Sequence, residues 1–178
     1  MADTRPTALV AMCGIPFAGK TTLAREVATA WGLALVSVDE IVAEMNIDLG
    51  RDAGNQAGWA RAMAVGLERT HQELVAGTSV VYDSANHTRR NRDRCRRVAG
   101  RAGATFRCIW VDVPVGVARE RLLANRAQPR RTDVPDASFR EIVDAFEAPV
   151  DEPDVVRYQS GMAVEELYRA ITLPERID

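Results

Sequence analysis

Apolar and polar positions along the chain fall into two alternating rhythms. Short, nearly continuous apolar runs at Ala8 to Cys13, Leu33 to Val38, Ser79 to Asp83, Thr105 to Val113 and Asp154 to Tyr158 read as strands buried in a parallel sheet. Between them apolar residues recur at helical spacing. Leu23, Val27, Ala30 and Trp31 mark a helix from Lys20 to Trp31 closed by Gly32, and Trp59, Met63, Leu67 and Leu74 mark one from Ala57 to Ala76 closed by Gly77. Further helices are predicted over Glu40 to Met45, Thr88 to Gly103, Val115 to Asn125 and from Asp136 through Phe146. Val164, Leu167, Tyr168 and Ile171 mark a closing one. The Trp59 and Met63 stripe reads as core. The polar stretch Asn46 to Gly58 has no period and reads as a substrate-side loop, and Pro149 to Pro153 as a polar linker. Five strands alternating with helices predict one α/β domain over residues 1–178, with helices on both faces of the sheet.

The turn between the first strand and the first helix changes this from a fold to a chemistry. Gly14, Ile15, Pro16, Phe17, Ala18, Gly19, Lys20 and Thr21 spell G-x-x-x-x-G-K-T, followed by Thr22. Such a P-loop cradles phosphates, because its glycines let successive backbone N–H groups face anionic oxygens at a positive helix N-terminus. Lys20 is then the residue for the β- and γ-phosphates and Thr21 the hydroxyl for Mg²⁺. Lys20 is also the only lysine in the chain, so the single ammonium stands where a compact point charge is required.

Ligands of parallel sheets bind beyond the carboxyl ends of the strands, which brings three further segments to the same edge. Asp39, after the second run, reads either as a general base toward an attacking hydroxyl or as a helix N-cap. Asp83, ending the third, reads as a Mg²⁺ or substrate ligand or as a cap. Asn86 and Arg89 stand beside it as substrate-binding candidates, and His87 reads as a surface or capping residue. The helix Thr88 to Gly103 carries seven arginines, which suit a solvated face or a phosphate backbone. Arg126 and Arg130, four apart, either share a lid face over a transferring phosphoryl group or form a charged surface turn.

Composition narrows the partners. With 47% hydrophobic and 27% charged residues the chain is globular in character, and a formal net charge of −2 argues against coating nucleic acid or anionic membrane. No secretory apolar region is seen at Met1 to Thr7, so a cytoplasmic location is expected. Cys13, Cys95 and Cys108 are odd in number and widely spaced, and are expected to be reduced structural thiols.

Together, Gly14 to Thr22, Asp39, the Asp83-Ser84-Ala85-Asn86 segment and the arginines from Arg119 to Arg131 resemble the P-loop kinases related to polynucleotide kinase, zeta toxins and chloramphenicol phosphotransferase. The resemblance implies a three-layer P-loop NTPase fold with five parallel strands ordered 2-3-1-4-5 and an arginine-bearing lid at about 126–146. It implies ATP and Mg²⁺ as cofactors, Asp39 as base, and Arg126 with Arg130 over ATP. The chain has no appended phosphatase domain, and its acceptor region, Ala43 to Gly58, matches no substrate signature. The expected activity is γ-phosphoryl transfer from ATP to a hydroxyl of a small-molecule acceptor. The alternatives are a 5′-hydroxyl polynucleotide acceptor and a nucleotide-dependent switch or partner-binding ATPase.

Overall fold

A computed structural model describes residues 6–47 and 56–171, so most of the expected substrate-side loop Asn46 to Gly58 lies outside the described residues. Ala8–Cys13 forms β1, and every one of its residues is buried. Such a strand needs cover on both faces and hydrogen-bonding neighbours on both edges. It has them: β3 (Val80–Asp83) and β4 (Thr105–Val111) flank it, β2 (Ala34–Ser37) and β5 (Val155–Tyr158) lie outside these, and every pairing is parallel. The order β2-β3-β1-β4-β5 is the expected 2-3-1-4-5 order.

The helices are α1 (Lys20–Trp31), α2 (Val38–Glu44), α3 (Gln56–Val75), α4 (Arg89–Arg101), α5 (Val115–Ala127), α6 (Asp136–Asp144) and α7 (Val164–Ile171). Alternation along β1 splits the core. Val10 and Met12 join Leu23, Val27, Trp31, Leu122 and Leu167 on one side of the sheet. Leu9, Ala11 and Cys13 join Ile41, Ala62, Tyr82, Cys95 and Val98 on the other. No described helix is long and apolar enough to cross a membrane.

Three local differences from the sequence expectation matter for the site. β2 ends at Ser37 and α2 starts at Val38, so Asp39 lies in the first helical turn and is not the N-cap; Ser37 holds that place, without a side-chain cap bond. The fully buried positions of α3 are Ala62, Gly66, Thr70 and Leu74, not the large Trp59, Met63 and Leu67. Close approach explains this. A Cβ on Gly66 would lie 3.1 Å from the Tyr82 ring and 3.2 Å from Ile41, so only small residues let α3 seat on β3 and α2.

The third difference is at the expected polar linker Pro149 to Pro153, where Glu152 is only 8% exposed. Its carboxylate receives Arg92 Nη2 at 2.6 Å and Nε at 3.0 Å, and also receives Arg96. Arg92, 1% exposed, further donates to the carbonyls of Asn86 at 3.0 Å and Glu147 at 2.9 Å. Arg96 continues the network to Asp154 and Asp93. Burial acts to raise the Glu152 pKa, but the two guanidinium groups outweigh it and hold the carboxyl below its ordinary value. Neither reading of the arginine helix therefore describes Arg92 and Arg96, which are interior ties between α4 and the approach to β5.

Candidate active site

β1 ends at Cys13 because the next residue must turn sharply. Gly14 has φ +148°, and a methyl group there would come within 2.8 Å of the Val111 carbonyl oxygen. Gly19, at φ +104°, closes the loop at the start of α1, and Phe17 takes φ +61° between them. Two braces hold the loop from outside: Gly14 N–H donates to the Ala85 carbonyl at 3.0 Å, and Arg121 of α5 donates to the Ala18 carbonyl at 2.9 Å. Lys20 turns its ammonium back onto the Ile15 carbonyl at 2.7 Å. Burial lowers its pKa to about 8, although Asp83 and Asp39 act in the opposite direction. A buried ammonium held by one carbonyl is a group ready to exchange that partner for anionic oxygens.

Asp83, at the end of β3, is 4% exposed and accepts from Ser37 Oγ at 3.4 Å and from the Thr21 hydroxyl. Burial raises its pKa, against the lowering effects of that hydroxyl and of Lys20. A hydroxyl and a carboxylate brought together beside the phosphate cradle form a hard, all-oxygen donor pair, and burial leaves this carboxylate in want of positive charge. That chemistry fits Mg²⁺, which takes one or two protein oxygens and completes its shell with substrate phosphates and water. No group of three or more His, Cys, Asp or Glu suited to a metal occurs among the described residues.

The two arginines expected over the phosphates are not the ones that arrive. Arg126 donates to Asp133 at 3.0 Å, to Asp136 at 3.1 Å and to the Val134 carbonyl at 2.9 Å, and it lies outside the cavity wall. Arg130 is exposed and also outside it. Arg131 enters instead, with its guanidinium 4.6 Å from the Phe17 ring centroid and Nη2 3.3 Å from Asp39 Oδ2. The cause is local. α5 runs to Ala127, and Asn125, 9% exposed, gathers the chain beyond it by accepting from the backbone of Arg130 and Arg131 and donating to the Arg131 carbonyl. Sequence spacing counted the four-residue interval but had no signal for this clamp.

Asn86 lines the cavity, as a substrate-binding candidate should, but its side chain is already engaged, and Arg89 takes other work. Asn86 adopts φ +42°, donates to the Met12 carbonyl at 2.8 Å and accepts from Cys95, which spends its amide on fastening the β3–α4 loop to β1. Arg89 stays outside the cavity wall, with its backbone N–H bound to Glu147. His87, expected at the surface, lines the cavity, and its buried Nδ1 has no hydrogen-bond partner. Burial and the nearby Lys20 and Arg92 hold it below its ordinary pKa of 6.5, against Glu147 and Glu141, so it is a neutral imidazole at neutral pH.

These groups border one cavity of about 790 Å³. One half is the phosphate cradle with Lys20, Thr21, Asp83, Asp39 and Arg131. The other is a chamber walled by Trp59 and Met63 of α3, His87 and Asn91, and Glu141 and Ile142 of α6. Trp59 and Met63, read as core, therefore face a ligand space, while Met63 also packs against the core cluster as expected.

A family model described as an AAA domain matches residues 9–149. The chain belongs to the AAA domain family. The matched region runs from β1 past α6 and so takes in the cradle, both strand-end acids and Arg131. The fold is that of P-loop kinases. A presumed kinase of Chloroflexus aurantiacus is 20% identical with a TM-score of 0.76, over 94% of this chain and 97% of that one. The Mycobacterium tuberculosis adenylyl sulfate (APS) kinase CysC, solved with AMPPNP and APS, is 20% identical with a TM-score of 0.65, over 94% and 96%. Chaetomium thermophilum Kti12, solved with ADP-AlF3, is 21% identical with a TM-score of 0.69, over 92% and 99%. At these identities the likeness establishes the fold of the AAA domain and leaves its acceptor open. No curated protein matches the chain significantly.

Proposed function

We propose that the protein transfers the γ-phosphoryl group of ATP to a hydroxyl of a small-molecule acceptor. The observation that carries this reading is the single cavity that joins a phosphate cradle to a separate chamber, with Asp39 and Arg131 among the residues bordering it. A hydrolase or switch needs only the first half. Structural neighbours named as a gluconokinase, a sugar kinase and an APS kinase support a small acceptor.

In this reading the loop amides and Lys20 receive the phosphates, with Lys20 giving up the Ile15 carbonyl. Arg131 gives up Asp39 and turns to the charge building on the γ-phosphoryl oxygens. The acceptor oxygen attacks the γ-phosphorus as the bridging bond to the β-phosphate breaks, and ADP leaves with that electron pair. The hydroxyl proton passes to the freed Asp39 carboxylate. Thr21 and Asp83 are the residues that would hold Mg²⁺ brought in with ATP, and its charge would help neutralise the phosphates. Catalysis is then positioning and electrostatics more than covalent chemistry.

The test is transfer of labelled phosphate from ATP to a hydroxyl library by the wild type and by Asp39→Asn. Loss of about a hundredfold or more in kcat, with ATP affinity retained, is expected for a missing base. Full activity in Asp39→Asn removes Asp39 from that role. An oligonucleotide with a 5′-hydroxyl, phosphorylated in preference to small alcohols, would move the acceptor to nucleic acid. The inward use of Arg92 and Arg96 weakens the support for that alternative.

A further inference from the structure

The charges in the cavity divide unevenly between its two halves. Among the described lining residues the charged side chains are Lys20 and Arg131, and Asp39, Asp83, Asp133 and Glu141. Asp133 is paired with Arg126, and Asp83 lies under Lys20 and Thr21. Both cations belong to the phosphate half. Once a triphosphate takes them, Asp39 at the edge of the cradle loses Arg131, and the chamber itself is left with the carboxylate of Glu141. The imidazole of His87 in the chamber is neutral in the nucleotide-free protein. Glu141 projects from α6, where no hydrogen bond or ion pair from the described residues holds its carboxylate, and it acts electrostatically on His87. The unmet Nδ1 of His87 is a second polar atom in the same chamber with no protein partner. Trp59, 37% exposed, and Met63 supply an aromatic and apolar wall opposite.

We propose that the acceptor is an aminated alcohol, a compound carrying both the reacting hydroxyl and a protonated amine, with the ammonium received by Glu141 and its carbon skeleton laid against Trp59 and Met63. This rests on the kinase reading and names its substrate class. A binding site is complementary in potential to its ligand, and an uncompensated carboxylate beside an aromatic face is the arrangement that takes a cation. An acceptor with its own carboxylate, sulfate or phosphate meets the opposite condition. It would enter a chamber that offers it the Glu141 carboxylate, with Asp39 at its edge, after the triphosphate has claimed both cations.

Labelled ATP is offered with glucosamine, glucose and gluconate, three probes of similar size, and with the larger adenylyl sulfate. The expected order of kcat/KM is glucosamine, then glucose, then the two anions, with about a tenfold step between the first two at low salt that shrinks as salt is added. Glu141→Gln should remove that step, mainly through KM, and Glu141→Arg should reverse it in favour of gluconate. Glu141 is exposed on α6, so both variants should fold, and ATP binding with an unchanged melting midpoint checks this. Gluconate or adenylyl sulfate as the best substrate of the wild type overturns the inference and leaves the kinase reading standing. So does a glucosamine preference that survives Glu141→Gln. Transfer to none of the four nor to any alcohol of a broad library, by protein that binds ATP, overturns the kinase reading and this inference with it.

Discussion

Arg92 and Arg131 are the same residue type in opposite situations. Arg92 is 1% exposed and spends its guanidinium on Glu152 and on the carbonyls of Asn86 and Glu147. Arg131 has a side chain 39% exposed, one carboxylate partner at 3.3 Å and an aromatic ring beneath it. The first cannot leave its partners without stranding a buried charge, so it serves as structure. The second pair is worth little where it stands and gives way to a stronger anion at small cost. In the proposed reaction, the arginine suited to chemistry is the one that can be released cheaply.

That contrast can be broken at either end. The largest effect is expected for Arg131→Ala, which should lower kcat about a thousandfold, roughly 4 kcal/mol of transition-state stabilisation, without shifting the melting midpoint. Steady-state kinetics beside thermal melts would show it, and a loss of stability of the same size would erase the distinction. Arg92→Leu should behave in the reverse way, costing about 3 kcal/mol of stability and lowering the midpoint by roughly 6–12 °C. The cost sits at the low end of the range because Arg96 still pairs Glu152. Replacing Glu152 by Leu in the same chain should recover much of the loss.

Lys20 sharpens the comparison, since its ammonium is desolvated although the residue is only half-buried, and it holds a single exchangeable partner. Its pKa of about 8 in the nucleotide-free protein means that its charge is lost as pH rises through that value. ATP binding should therefore weaken by up to about tenfold per pH unit above 8, measurable by titration calorimetry. The sign for folding is opposite. The folded pKa lies below the unfolded value of 10.5, so between 8 and 10.5 the unfolded chain binds more protons, and the lysine's contribution to stability rises with pH. A melting series in wild type and Lys20→Met should differ by that slope. The smallest effect belongs to Arg126→Ala. Its partners are exposed carboxylates, so turnover should hold and the midpoint should move by no more than about two degrees.

The legible and illegible parts of the chain separate on physical grounds. β1, the glycine loop and α1 are written locally, because a doubly buried strand must be apolar throughout and the loop's backbone demands glycine at 14 and 19. The strand order followed from resemblance rather than from any local pattern. Asp83 stands at the cradle as its place after an apolar run implied. What could not be read depended on distances between elements. Periodicity assigns Trp59 and Met63 to a face, but whether that face meets the sheet or a cavity depends on how close α3 can come, and Gly66 against Tyr82 sets this. Arg131 could not be told from Arg130, because Asn125 decides how the chain leaves α5. Glu152 looked like linker because its partner lies 60 residues away.

The cysteines carry a practical consequence of the doubly covered sheet. Cys13, Cys95 and Cys108 are the only thiols in the chain, and each is no more than 1% exposed. Sulfhydryl reagents therefore find no native target while the protein is folded. A cysteine placed at Ser138 and another at Gln56, both of which line the cavity, would take a pair of spin labels without first stripping the background. The distance across the mouth could then be followed as nucleotide and acceptor are added in turn.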